Sequence, residues 1–442
     1  WNIAPNKDAV ITPIYTSDEG PVLAGEYRHL LRNGYYELEG SITYPDRINE
    51  NTGIRSGGNE FRGHIEGNGR FQLTDIWYWG FDGKHTSDDT YLRRYDFGHE
   101  DLLTSKAYVR AEKGRSYLNA EVVGFQGLRA DDDSTIIPFI HPLIDASHET
   151  DAGWHGSRFG VEGNVMALSR EIGPESRRLS TAAYWRLPHI TQGGHVFEMR
   201  AQMRADMYSV TDEPINANPA DNYTGTVGRV VPELWMDWRY PLLKRFKSSS
   251  LIIEPTVNAV VGINGVDSEK IPNEDSLALE FSDSNLFSSN HYPGYDLVES
   301  GTRVSYGIRG QMHYDGGSHL HFLFGQNYHT DDKNLFPYSN DLSEELSDYV
   351  GRVAWNYSDN MELAYRFRLD RQNFELKRSE VDSRFHFEPV RLRLNYVRME
   401  EDPYLENNEE IRASSAVQLT DNWIWTLNGR RDLSSEDGGM IR

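Results

Sequence analysis

The sequence predicts an all-β fold, a large antiparallel transmembrane β-barrel of the outer-membrane kind, and three observations predict it. Segments of about ten residues alternate between apolar and polar side chains, the period of a strand with one greasy face. Their length suits a strand crossing a bilayer at a tilt, not the roughly five residues of a soluble sandwich strand. Short turns alternate with long polar connections, the rhythm of barrels with one rim in the periplasm and the other outside.

Taken in order, the chain opens on WNIAPNKDAVITP, which reads as extended but carries Pro5 and Pro13, residues that cannot donate to a ladder and belong at sheet edges. From Gly34, the residues Tyr36, Leu38, Gly40, Ile42 and Tyr44 alternate with Tyr35, Glu37, Glu39, Ser41 and Thr43. The same pattern recurs where Phe197, Met199, Ala201, Met203 and Met207 interleave with Glu198, Arg200, Gln202, Arg204 and Asp206. It recurs again from Arg303 to Tyr314 and from Met361 to Asp370. A lysine or arginine facing lipid at the midplane costs about 2–4 kcal/mol, so charges on these strands point into a lumen. The predicted lumen-facing wall includes Glu37, Glu39, Glu198, Arg200, Gln202, Arg204, Arg303, Arg309, Glu362, Arg366 and Arg368.

Short turns fall at 32–34, 67–70, 113–115, 191–194, 315–317, 358–360 and 420–422. Long connections fall at 45–59, 81–101, 211–226, 264–301, 330–348 and 400–410, all expected outside the membrane. Strict alternation demands one more strand inside 136–149, despite Pro138 and Pro142, since otherwise the later long loops would switch rims. Counting in this way gives roughly twenty-one strands, toward the large end of the known range.

Composition agrees. A chain of 442 residues with 25 Tyr, 10 Trp and 18 Phe has a mean hydropathy of only −0.65, and no run reaches the about 18 apolar residues of a membrane helix. A barrel hides its apolar half in alternate positions, so low hydropathy is expected of it. Net charge −23 argues against a nucleic-acid partner. The acidic runs at 131–133, 331–332, 344–345 and 400–402 lack the spaced ligands and glycine of a calcium loop and read as solvated connections. Absence of cysteine removes disulfides, thiol catalysis and zinc-thiolate sites. The chain starts at Trp1 with neither an initiator Met nor a signal peptide, and is read as a mature segment.

Catalytic motifs are absent: there is no GxSxG, HExxH, P-loop or GxGxxG, and the expectation is a protein that is not an enzyme and carries no cofactor. His319 and His321 share one strand face and could converge on a metal, but without a third ligand they read as lumenal polar residues. Glu198 with Arg200, and Glu362 with Arg366, read as ion-paired wall rather than acid/base machinery. Trp77 with Trp79, and Trp423 with Trp425, suit an interfacial girdle.

Several stretches then resemble one family. WNIAPNKDAVITP followed by GEYRHLL at 25–31 is similar to the start of the barrel in the LPS-assembly family LptD, also called organic solvent tolerance or Imp/OstA. FSDSNLFSSNHYPGYDLVESGTRVSYGI at 281–308 resembles that family's long central loop and returning strand. ELAYRFRLDRQNFELKRSEV at 362–381, RLRLNYVR at 391–398 and LTDNWIWTLNGRRDL at 419–433 resemble its late strands. The resemblance implies a barrel of about 26 strands near the top of the size range, with 1–442 as barrel domain lacking the N-terminal periplasmic jellyroll and the last closing strands. It implies a Gram-negative cell outer membrane location and transfer of lipopolysaccharide to the outer leaflet through a lateral gate between first and last strands. Implied partners are lipopolysaccharide, outer-membrane lipid, an LptE-like lipoprotein plug in the lumen and a periplasmic LptA-like bridge reached through the N-terminal domain. The gate is assigned to Pro5, Ile11 and Pro13, the last on a matching motif position.

The physics of such a cargo fits. A charged sugar head cannot cross hydrocarbon exposed, whereas a polar lumen can carry the head while a side slit admits acyl chains to lipid. Three other readings share part of the evidence. A large porin or ligand-uptake barrel would show the same alternation but a tight seam and ion conductance. A lipid-acting barrel enzyme would need a nucleophile and base at the outer rim, and a soluble β-rich carbohydrate binder would stay in buffer rather than detergent.

Overall fold

The computed structural model describes residues 1–16, 20–48, 55–215, 221–266, 268–277, 280–330, 345–400, 408–434 and 440–441. Among these, one antiparallel sheet holds twenty-four strands joined in chain order. Three are short, Asn2–Ala4, Leu242–Arg245 and Met440–Ile441, which leaves twenty-one long strands of nine to eighteen residues. No described helix is long and apolar enough to cross a membrane. The acidic residues Asp331, Asp332, Glu344, Glu401 and Asp402, and the centres of the long connections at 45–59, 330–348 and 400–410, lie outside the described residues.

The two faces of the sheet invert the burial of a soluble protein. On the strand Val196–Glu213, Met199, Met203 and Met207 are exposed while Asp206 is 4% and Tyr208 0% exposed. On Arg303–Tyr314, Tyr306 and Ile308 face outward while Arg303 and Ser305 are buried. Apolar side chains outside and satisfied polar ones inside are what a lipid solvent selects. Exposed tryptophans Trp79, Trp423 and Trp425 sit within a few residues of short turns, so that rim carries an aromatic band.

The strand expected within 136–149 is present as Phe139–Glu149. Pro138 precedes it, and the ladder to Ser116–Gly127 shifts register where Glu121 pairs with Leu143 and Val123 with Ile140. Pro142 therefore lies in a bulge, where no ladder donor is required.

The opening stretch departs from the expectation of one extended segment. Asn2–Ala4 folds back on Lys7–Thr16 through a turn at Pro5 and Asn6. A fixed φ and a missing N–H suit proline to a turn more than to a strand interior. Pro5 therefore lies at the short-turn rim and Pro13 within the long strand.

The connection 263–302 also differs from an external loop. Its residues reach wall positions on strands as far apart as Phe139–Glu149, touched by Tyr295, and Leu376–Phe387, touched by Glu280. One segment can meet both only if the sheet curves around it, so the connection folds into the lumen at the long-loop rim. A second connection, carrying the short helix Tyr91–Arg94, folds inward as well, with Tyr91 buried against Leu92, Leu103 and Leu128. The buried apolar clusters occur where these connections dock. One is Phe281, Leu286, Tyr292 and Val350, and another is Tyr208, Val210 and Ile271.

Candidate functional site

Two features of the wall can carry function: the inward-folded connection with its arginine anchors, and the free edge of the first long strand.

The lumenal residues of Val196–Glu213 run Glu198, Arg200, Gln202, Arg204, Asp206, Tyr208 and Val210, so this face turns from charged to apolar toward the long-loop rim. Tyr208 and Val210 meet Ile271 there. Beside them Arg178, whose side chain is 1% exposed, places Nη1 2.6 Å from Asp296 and 2.7 Å from Asp275. Its Nε and Nη2 donate to Asn164 Oδ1, and its guanidinium lies 4.8 Å from the Tyr295 ring. Asp275 accepts from the Tyr295 and Asp296 amides, and Asp296 accepts from the Glu274 and Asp275 amides. The two carboxylates thus clamp each other's segments while sharing one arginine. Arg229 bonds Asp206 at 2.7 Å, and Arg229 and Arg204 both donate to the Tyr295 carbonyl. Between Tyr292 and Tyr295 the chain turns at Pro293 and Gly294, whose φ of +84° only glycine adopts freely.

Farther along the connection, Arg303 bonds Glu233 at 2.8 Å and donates to the Glu299 carbonyl at 2.9 Å. Glu299 Oε2 lies 2.8 Å from His291 Nδ1 and accepts the His291 amide. Burial pushes the Glu299 carboxyl upward, but His291 and Arg303 win and hold it at about 2. Glu280 ties to Arg368 at 3.0 Å and also to Arg378. On the other inward connection, burial opposes ionisation of Asp88, yet the bidentate contact from Arg62 holds its pKa well down.

Among the wall residues named from the sequence, the ion pairs differ from those expected. Glu198 lies 3.7 Å from Arg186, and Arg200 3.5 Å from Glu162. Arg200 also donates to Gln202. Glu362 bonds Arg384 at 3.1 Å, while Arg366 contacts Asp382, Glu380 at 3.3 Å and Asp283 at 3.9 Å. Glu362 with Arg384 and Arg366 with Glu380 are directly opposed on neighbouring strands, Glu198 with Arg186 and Arg366 with Asp382 are diagonal, and Arg200 reaches Glu162 across an intervening strand, so register sets which partners are in reach. Glu37 stands opposite Arg28, and Glu39 between Glu26 and Glu66. Arg309 stacks on Phe287 at 4.4 Å. His313 supplies a third imidazole beside His319 and His321, with ring centres 5.0–6.2 Å apart. Among the described residues, however, no group of three side chains is arranged to hold a metal ion. Arg178, Arg229, Asp275 and Asp296 escaped the sequence reading because their contacts are distant in the chain. The available signal was the density of large apolar residues in 281–298, which a solvated loop does not need.

The first long strand is an edge. Among the described residues its only partner besides Gly20–Leu31 is Asn2–Ala4, and no ladder joins it to any late strand. Ala9 exchanges both backbone bonds with Trp1, on the side away from Gly20–Leu31. Register with Gly20–Leu31 is unbroken, and backbone N–H groups alternate sides, so Ile11, Pro13 and Tyr15 direct their nitrogens to that same free edge. The donor Pro13 lacks is thus missing from the edge, not from the ladder. Ile11 is 68% exposed and Tyr15 83%, on the lipid face.

A family model described as LPS transport system D, LptD, matches residues 60–423. The LPS-assembly protein LptD of Salmonella paratyphi A is 24% identical over 389 residues, covering 84% of this chain and 49% of the relative. That of Nitrosococcus oceani is 25% identical over 461 residues, covering 100% of this chain and 58% of the relative. The chain thus spans about half the length of the curated relatives it matches. Among solved structures, the FrpB iron transporter from Neisseria meningitidis (F3-3 variant) aligns with a TM-score of 0.41 at 9% identity, over 98% of this chain and 77% of that one, a likeness that carries no argument. With most of its length matched by the family model, the chain belongs to the LptD family.

Proposed function

We propose that this outer-membrane barrel wall belongs to a translocon that inserts lipopolysaccharide into the outer leaflet through a lateral gate, one side of which is the edge of Lys7–Thr16. The observation that carries the reading is the placement of Pro13, whose missing N–H falls on the edge a closing strand would meet. In hydrocarbon each unpaired backbone group costs several kcal/mol, so a seam built with fewer donors starts closer to opening. With Ala9 already bonded to Trp1, the edge from Val10 to Thr16 offers only the donors of Ile11 and Tyr15. Pro5 contributes by turning Asn2–Ala4 onto the lower end of this edge, which leaves the part nearer the long-loop rim for the gate.

In this reading the polar wall carries the saccharide head, the acyl chains leave sideways into lipid, and no bond is made or broken. An LptE-like lipoprotein in the lumen and an LptA-like periplasmic bridge delivering through an N-terminal domain are the partners it calls for. The inward-folded connection disfavours the porin reading, because it occupies space a free diffusion channel would leave open. The test is a crosslink. A cysteine at Ile11, paired by scanning with cysteines on the strand that closes against it, is oxidised in cells and surface lipopolysaccharide is measured. Arrest on oxidation and recovery on reduction are expected. Undiminished surface delivery by the crosslinked protein would sink the proposal.

A further inference from the structure

Beneath the inward-folded connection lies a chamber of about 530 Å³, open to the lumen and built on four consecutive strands from Arg303–Tyr314 to Met361–Leu369. Its floor is a row set by register: Arg309 pairs with Leu323, Leu323 with Arg352, and Arg352 with Arg366. Three arginines thus share one line across the wall, two of them directly opposed. Like charges in directly opposed positions are destabilising.

Elsewhere on this wall arginines are answered, as Arg178, Arg229, Arg303 and Arg368 are by carboxylates. In the row, Arg366 is answered by Asp382 and Glu380. Arg309 stands opposite Glu254 on the neighbouring strand without closing to an ion pair, and Arg352 faces Arg366. Among the described residues neither makes an ion pair, and Nε of each is buried without a hydrogen-bond partner. Of the two carboxylates lining the chamber, Glu362 is engaged by Arg384 at 3.1 Å. Asp283, on the roof, lies 3.9 Å from Arg366 and makes no ion pair with Arg309 or Arg352. Gln311 and His321 add hydrogen-bonding groups beside the two arginines.

We infer that this chamber is a binding site for a phosphoryl group carried on a saccharide, held by the guanidinium groups of Arg309 and Arg352 with sugar hydroxyls on Gln311 and His321. Two planar forks without ion-pair partners, one of them stacked on Phe287, match the oxygens of a phosphate, which accept paired hydrogen bonds from arginine. The volume decides between an isolated ion and a larger group, because it lies in the range of pockets that enclose small molecules. The inference rests on the transport reading only for the natural source of such a group, the head of the lipid in transit.

The test is calorimetric titration of the full-length protein, with any subunit that co-purifies, in detergent. The probes are glucose 6-phosphate, glucose and inorganic phosphate. Saturable binding of glucose 6-phosphate is expected, with glucose and phosphate each at least about tenfold weaker, the loss of one charge-assisted contact set. Arg309→Gln and Arg352→Gln should each weaken glucose 6-phosphate by at least about tenfold. Arg129→Gln, whose side chain pairs with Asp101 and which does not line the chamber, should leave it unchanged. Should a variant fail to fold, protection of Arg309 and Arg352 from phenylglyoxal by glucose 6-phosphate, read by mass spectrometry on the unaltered protein, gives the same information. Equal affinity for inorganic phosphate would overturn the saccharide assignment. Absence of binding, or binding that both variants and the protection assay leave unaffected, would overturn the site. Because the readout is binding in detergent, it is independent of the crosslinking result at the gate.

Discussion

Arg178→Ala should release the inward-folded connection from the wall. The side chain is 1% exposed and stands between Asp275 and Asp296 at 2.7 and 2.6 Å, of which Asp296 is also 1% exposed. Removing one member of a buried ion pair leaves the other charge uncompensated and costs about 3–5 kcal/mol. That converts to a detached population larger by roughly a hundredfold to several thousandfold. Hydrogen exchange reads such local opening directly. The probes are the amides of Asp275, Tyr295 and Asp296, which donate to the two carboxylates and should exchange faster by that factor. Arg384→Ala is the control, because its 3.1 Å contact with Glu362 is made by a side chain that is 68% exposed, and such pairs contribute at most about 1 kcal/mol. The reasoning fails if the loop amides accelerate by less than about threefold. It also fails if the strand amides accelerate equally, since Arg178 would then hold the wall together rather than tether the connection.

Further outcomes follow from the same geometry. Acidification should loosen the connection near Glu299. Its carboxyl is held at about 2 against an ordinary 4.5, so its contribution of ~3 kcal/mol is fully present above pH 4.5 and is lost as pH falls toward 2. Protease cutting within 286–300 at stepped pH would follow that loss, and a flat profile would contradict it. Gly294→Ala places a Cβ 2.4 Å from the Asp275 carbonyl oxygen at a φ of +84°, and should destabilise the docked connection by about 1–3 kcal/mol. The check is the same exchange assay. Pro13→Ala returns one donor to the free edge and should strengthen the proposed seam by about 1 kcal/mol or more, slowing surface delivery of lipopolysaccharide in pulse-chase labelling. Faster delivery would be the contrary result.

The wall was legible in the sequence because lipid enforces alternation residue by residue. The exposed Met199, Met203 and Met207 against buried Asp206 require no knowledge of neighbours. The strand Phe139–Glu149 was legible for a topological reason, since rims cannot exchange midway. Ion-pair partners were not, because they depend on register: Arg186 reaches Glu198 only once the strands Glu175–Ile190 and Val196–Glu213 are aligned. Nor was the docking of 263–302, whose principal anchor joins Arg178 to Asp296 across 118 positions. Its acidic residues Asp275, Asp296 and Glu299 acquire their partners only when the wall arginines are brought beside them. Pro5 was read as part of an extended edge segment, whereas it stands in a turn beside Asn6, which donates its side-chain amide to the Leu30 carbonyl.

Pro13 also bears on the life of the chain before it reaches a membrane. A long strand with a bare row of donors and acceptors is a template on which other chains can add strands and aggregate. The edge of Lys7–Thr16 is apolar enough for that hazard, with Val10, Ile11 and Tyr15 all exposed. Two devices blunt it: the fold-back of Asn2–Ala4 covers one end, and Pro13 interrupts the donors in the other. A foreign strand pairing there would leave one of its own carbonyls unanswered. The residue assigned to loosening the proposed seam in lipid would also keep this edge from recruiting strangers in water.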